Sequence, residues 1–138
     1  MCNERPKEIP ADASYDDPRR KHFTTGRMWK SGVAKVNSAK KGGAAKFSPL
    51  FVERIAEYHL ACVRDGTFIA NEKPNEATYC MEFPFVVGVS DGVETHILFA
   101  IYDLERKCVH GYPVTREHLQ RLTNLGDQEP VIFQPARG

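Results

Sequence analysis

The sequence predicts an α+β protein: a disordered basic arm, then a helix, a three-stranded antiparallel sheet, a second helix and a short final strand. Three observations lead there. Charge splits sharply along the chain, two helix-start signatures stand far apart, and two apolar runs flank a glycine turn.

The split of charge divides the chain into an arm, residues 1–46, and a compact domain, residues 47–138. The formal net charge of the 138 residues is only +1. Residues 1–46 carry 11 Lys/Arg against 5 Asp/Glu, a balance of +6, whereas residues 47–138 carry 8 against 13, a balance of −5. Residues 1–18 mix Pro, Asp and Glu with few large apolar groups, a composition that does not order itself. From 19 to 46 there are nine bases and no acid: Arg19, Arg20, Lys21, Arg27, Lys30, Lys35, Lys40, Lys41 and Lys46. Small residues fill the gaps, Gly42-Gly43 breaks any helix, and Phe23 and Trp29 are the bulky aromatics. Such an arm is expected to stay flexible until it meets a partner, or to fold back on the acidic body.

Phe47 opens the domain. Ser48 as cap and Pro49 at the first helical position start a helix. Phe47 and Val52 are placed to staple it. Val52, Ile55, Ala56, His59, Leu60 and Val63 recur at helical spacing and Gly66 stops it, giving a helix over 48–65. Thr67–Ala77 has no clear period and reads as loop.

A hairpin follows. Met81, Phe83, Phe85, Val87 and Val89 share one face of strand 80–89. Val93, Thr95, Ile97, Phe99 and Ile101 share one face of strand 93–103. A three-residue loop, Ser90-Asp91-Gly92, puts both sets on the same side and gives Gly92 the left-handed position that such a loop requires. Pro84 then belongs to an edge strand. An unpaired edge with one apolar face makes 80–89 the place for a protein partner or a second copy of the chain. Cys108–Tyr112 is the third strand. Thr115 caps the second helix, on which Leu119, Leu122 and Leu125 form a stripe ended by Gly126. Val131–Phe133 supplies the final strand.

The basic arm carries the clearest functional signal. Bases spaced among small residues follow a phosphate backbone and release its counterions, and Trp29 stacks on unpaired bases. The residues assigned to a nucleic acid or an acidic protein partner are therefore Arg19, Arg20, Lys21, Arg27, Trp29, Lys30, Lys35, Lys40, Lys41 and Lys46. The protein reads as a non-enzymatic binding or regulatory protein whose arm contacts nucleic acid or a nucleoprotein complex while the domain contacts a protein. An inhibitor or assembly factor whose arm wraps an acidic partner is the alternative.

Enzyme readings are weaker. With a two-residue turn at Arg106-Lys107, Asp103 lies across from His110 and near Cys108, a Cys/His/Asp arrangement in miniature. Cys108 and His110 offer one close ligand pair where structural zinc uses two, so no metal is expected, and core cysteine is the plainer reading. His59 sits on an apolar helix face, where a packed histidine is the ordinary outcome. No phosphate-binding glycine loop, G-x-S-x-G or H-E-x-x-H occurs, so no cofactor is implied. The four cysteines lack a C-x-x-C pair, and the apolar runs are too short to span a bilayer. A cytoplasmic protein with reduced thiols and no membrane contact is the expectation.

Overall fold

The computed structural model of the protein describes residues 9–17, 22–41, 43–70, 73–122 and 129–134. The chain opens with β1 (Ser14–Tyr15), α1 (Gly26–Lys30), α2 (Val33–Ala39) and β2 (Lys46–Phe47). Next come α3 (Pro49–Val52), α4 (Ile55–Asp65), β3 (Thr67–Ala70), β4 (Glu76–Glu82) and β5 (Gly88–Ser90). The chain continues with β6 (Val93–Thr95), β7 (Ile97–Asp103), β8 (Cys108–Val114), α5 (Arg116–Leu122) and β9 (Val131–Ile132). A mixed six-stranded sheet runs β1-β8-β7-β4-β3, with β9 also on β4, and a three-stranded antiparallel sheet runs β2-β5-β6. The fold is α+β, but the described residues form five helices and two sheets where one three-stranded sheet and two helices were expected.

The helix starts follow from local chemistry. Ser48 Oγ accepts the Phe51 amide at 3.1 Å, with Pro49 at the first position. Phe47 stacks on Phe51 at 5.3 Å between ring centroids, fixing the entry of the chain. The helix expected over 48–65 is two helices. Arg54 N–H donates to Phe51 O, a tightening of the 3₁₀ type that closes the first helix. Arg54 itself leaves helical geometry at φ −129°, ψ 33°. Thr115 Oγ1 accepts the His118 amide at 3.0 Å and caps α5. Leu125 and Gly126 lie outside the described residues.

The hairpin register differs from expectation. Ser90 pairs with Val93 and Val89 with Glu94, leaving a two-residue loop. Asp91 (φ 51°) and Gly92 (φ 82°) are both left-handed, the type I′ turn that Asp-Gly favours. The strand expected over 80–89 breaks after Glu82, and Pro84 lies in the break. β4 and β5 then join different sheets, so the alternation cannot be carried from one to the other. β4 pairs with β7 through Cys80↔Phe99, Met81↔Leu98 and Glu82↔Ile97. Its other side is taken by β3 and β9. It is an interior strand, and a partner or a second copy has no free edge to extend along it. The segment expected as loop after Gly66 supplies β3, whose Thr67 pairs with Cys80.

Both faces of the large sheet are covered. Ala77, Tyr79, Met81, Leu98, Ala100, Tyr102 and Val109 form one core with Phe51, Ile55, Cys62 and Val63 beneath α3 and α4. Cys80, Ile97, Phe99, Val114 and Leu119 form a second on the opposite face. A strand buried on both faces reads as a continuous apolar run, and 97–102 does so.

Residues 9–46 are not a disordered arm where they are described. β1 runs parallel to β8, Ser14 opposite Cys108 and Tyr15 opposite Val109. Ala13 and Ala34 are buried. Tyr15 packs on His59 at 4.5 Å and His22 stacks on Tyr112 at 5.2 Å. The short elements α1 and α2 lack a wide apolar stripe, so they are held by tertiary contact, as helices of that length must be.

Candidate nucleic-acid interface

His22 begins the anchoring of the basic segment. Its Nδ1–H donates to Ala45 O at 2.7 Å, and its carbonyl accepts the Phe47 amide at 2.8 Å. The two ends of residues 22–47 are thereby tied together, and α1 and α2 stand on the loop between them. Thr25 Oγ1 caps α1 by accepting the Met28 amide at 3.1 Å. Ser38 is buried in α2, donates to Lys35 O at 2.7 Å and accepts the Gly92 amide at 3.0 Å. That last bond docks α2 on the tip of the β5–β6 hairpin. Gly92 lies so close to Ala39 that an added Cβ would meet the Ala39 methyl at 2.8 Å.

The frame presents bases outward. Arg27 and Lys30 are exposed one turn apart on α1, Lys35 is exposed on α2, and Lys40 and Lys41 are exposed just beyond its end. Lys46 lies half-buried on β2, opposite Val89. Arg19, Arg20 and Lys21 fall outside the described residues. Among the described residues no carboxylate pairs with Arg27, Lys30, Lys35, Lys40 or Lys41. Two acids of the N-terminal segment are engaged elsewhere, Asp12 with Lys107 at 3.6 Å and Asp16 with Arg106 at 3.4 Å. At these two points the N-terminal segment meets the body with its acids on the body's bases. These exposed pairs each contribute about 0–1 kcal/mol, and neither engages a base of residues 22–41.

Trp29 does not stand alone on this surface. It lines a cleft of about 800 Å³ between α1 and the start of α3 and α4, with Leu50, Tyr58 and Phe85 as apolar walls and Glu53 and Glu94 as acidic ones. Leu50 is 77% exposed, the largest exposure of any large apolar side chain described. Sequence reading missed Leu50, Tyr58 and Phe85 because they come from three separated segments. The one local sign was Leu50 itself, an apolar residue in the first turn of a helix and off its buried stripe.

The Cys/His/Asp arrangement is not assembled. Asp103 faces Cys108 and His110 faces Ile101, because the β7–β8 turn has four residues and not two. Asp103 Oδ1 accepts the amides of Glu105 and Arg106 at 3.0 and 2.9 Å, so the carboxylate braces the turn. Burial pushes the Cys108 thiol up from its ordinary range, which disfavours the nucleophilic thiolate. Burial also pushes the Cys80 thiol up, to about 12. Cys62 and Cys80 belong to cores on opposite faces of the sheet. No helix among the described residues is long and apolar enough to cross a membrane. The chain matches no protein-family profile, no curated protein and no solved structure.

Proposed function

We propose that the protein is a non-enzymatic binding protein that contacts nucleic acid through the basic surface of residues 19–46. One observation carries this reading. Five exposed bases, Arg27 and Lys30 on α1, Lys35 on α2, and Lys40 and Lys41 just beyond it, have no carboxylate partner among the described residues. The body behind them has a net charge of −5. Like charges gathered on one surface raise the local concentration of a polyanion and speed its encounter. Anchoring at His22, Ser38 and Phe47 lowers the entropy lost when that polyanion binds.

The test is the Lys35→Ala, Lys40→Ala, Lys41→Ala triple variant, assayed on several unrelated DNA and RNA sequences. Lysines that touch phosphates contribute without reading bases, so affinity is expected to fall by a similar factor on every sequence. The slope of log affinity against log salt is expected to flatten by about 0.9 for each duplex phosphate that is no longer neutralised. These three side chains are exposed, so the variant's thermal midpoint is expected to stay close to that of the parent. Unchanged affinity and slope would move the basic surface from nucleic acid to an acidic protein.

A further inference from the structure

The cleft beside α1 combines three features that a single kind of ligand satisfies. Its walls are aromatic and apolar: Trp29, Tyr58, Phe85 and the exposed Leu50. Glu53 and Glu94 line it together with Lys30 and Arg54. Arg27 and Lys30 line the adjoining hollow at its α1 side. A flat or apolar group that donates hydrogen bonds to Glu53 or Glu94 and carries an anionic group beside Arg27 and Lys30 is complementary to these walls.

We propose that this cleft takes an unpaired base of a single-stranded nucleic acid, with the neighbouring phosphates on Arg27 and Lys30. This rests on the nucleic-acid reading above and narrows it to single strands. An unpaired base offers a π face to Trp29 and Tyr58 and turns its amino and ring N–H donors toward carboxylates, the pairing that Glu makes with cytosine. Its phosphates lie a sugar away and meet the bases. A chain of acidic side chains fails on the first feature, because it offers no flat ring to Trp29 and Tyr58. A duplex fails on the first, because its π faces are covered by neighbouring base pairs. The aromatic wall is also prepared in advance. Tyr58 is packed against Phe51 at 4.7 Å, Phe83 at 5.3 Å and Phe85 at 5.4 Å, so its ring is fixed before any ligand arrives.

Trp29 is the sole tryptophan of the chain, which makes its fluorescence a direct reporter of the cleft. The full-length protein is titrated at low salt with a short mixed-sequence DNA single strand, with the same sequence as duplex, and with polyglutamate. Trp29 emission and the anisotropy of an end label are read together. The single strand is expected to quench Trp29 and the duplex to leave it unchanged. Trp29→Ala is expected to weaken single-strand binding roughly 5- to 150-fold, the range of one base–aromatic stack, with duplex binding unaffected and Trp29→Phe restoring most of the loss. Leu50→Ala, at a side chain too exposed to matter for folding, is expected to weaken single-strand binding several-fold in the same selective way. Equal binding of strand and duplex with unmoved Trp29 emission would overturn the cleft assignment and leave the basic-surface reading standing. No binding of either DNA would overturn both. Quenching by polyglutamate but not by DNA would replace the base with an acidic peptide.

Discussion

Phe47→Ala is expected to destabilise the protein by about 3–5 kcal/mol, the usual cost of removing a fully buried phenylalanine. The ring is inaccessible to solvent. It stacks on Phe51 at 5.3 Å, meets His59 edge-on at 5.6 Å and Phe23 edge-on at 6.2 Å. The cavity left behind would therefore be lined by α3, α4 and the basic segment at once. For a chain of this size the thermal midpoint should fall by roughly 10–20 °C. Leu50→Ala, three residues on but 77% exposed, should move it little. A small shift for Phe47→Ala would mean that the packing of residues 22–47 on the body is not part of the stable core.

Acid is expected to unfold the protein through His59. Its side chain is fully buried, and its Nδ1–H donates to Ile55 O at 2.8 Å. Nε2 finds no partner among the described residues. Gly111 makes room for it: a Cβ there would stand 3.1 Å from Nε2 and collide with Phe99 O. Burial holds the imidazole neutral, lowering its pKa from 6.5 to about 3, with the charge of His110 adding to the effect against the bond to Ile55 O. Above pH 6.5 both folded and unfolded states carry neutral His59, and it has no pH effect. Between 6.5 and about 3 only the unfolded chain takes up the proton, so stability falls by roughly 1.4 kcal/mol per pH unit. Below about 3 the loss is complete and constant. Carboxylates titrate in part of the same window, so the diagnostic quantity is the stability of the parent minus that of His59→Leu, measured by denaturant unfolding at a series of pH values. That difference should decline as the pH drops from 6.5. A flat difference would mean that His59 is protonated in the folded protein.

What the sequence revealed and what it hid follow one physical line. Local chemistry was legible: the Ser48 and Thr115 caps form with the predicted residues, because a cap depends on three or four neighbouring positions. Register was not. Leu98, Ala100 and Tyr102 face α4 while Ile97 and Phe99 face α5's side, and a strand buried on both faces has no period with which to choose one. Pro84 marked a break between two sheets and not an edge. β1, the His22 anchor and α2 were invisible because their stability lies in distant partners: Val109 for Tyr15, Tyr112 for His22, Gly92 for Ser38. The basic residues of the candidate interface could be read from composition. The cleft could not, since Trp29, Leu50, Tyr58 and Phe85 come together only once α1 is docked beside α3 and α4.

The salt dependence of nucleic-acid binding by the full chain tests the central claim most directly. Nine bases lie in residues 19–46, and a slope of about −0.9 per neutralised phosphate sets a limit of roughly −8 for log affinity against log salt on duplex DNA. With the five exposed bases of α1, α2 and the segment after α2 engaged, the slope is expected to be at least as steep as roughly −4.5. A shallow slope near zero, or no binding at the lowest salt tested, would contradict the claim that this surface exists to meet a polyanionic nucleic acid.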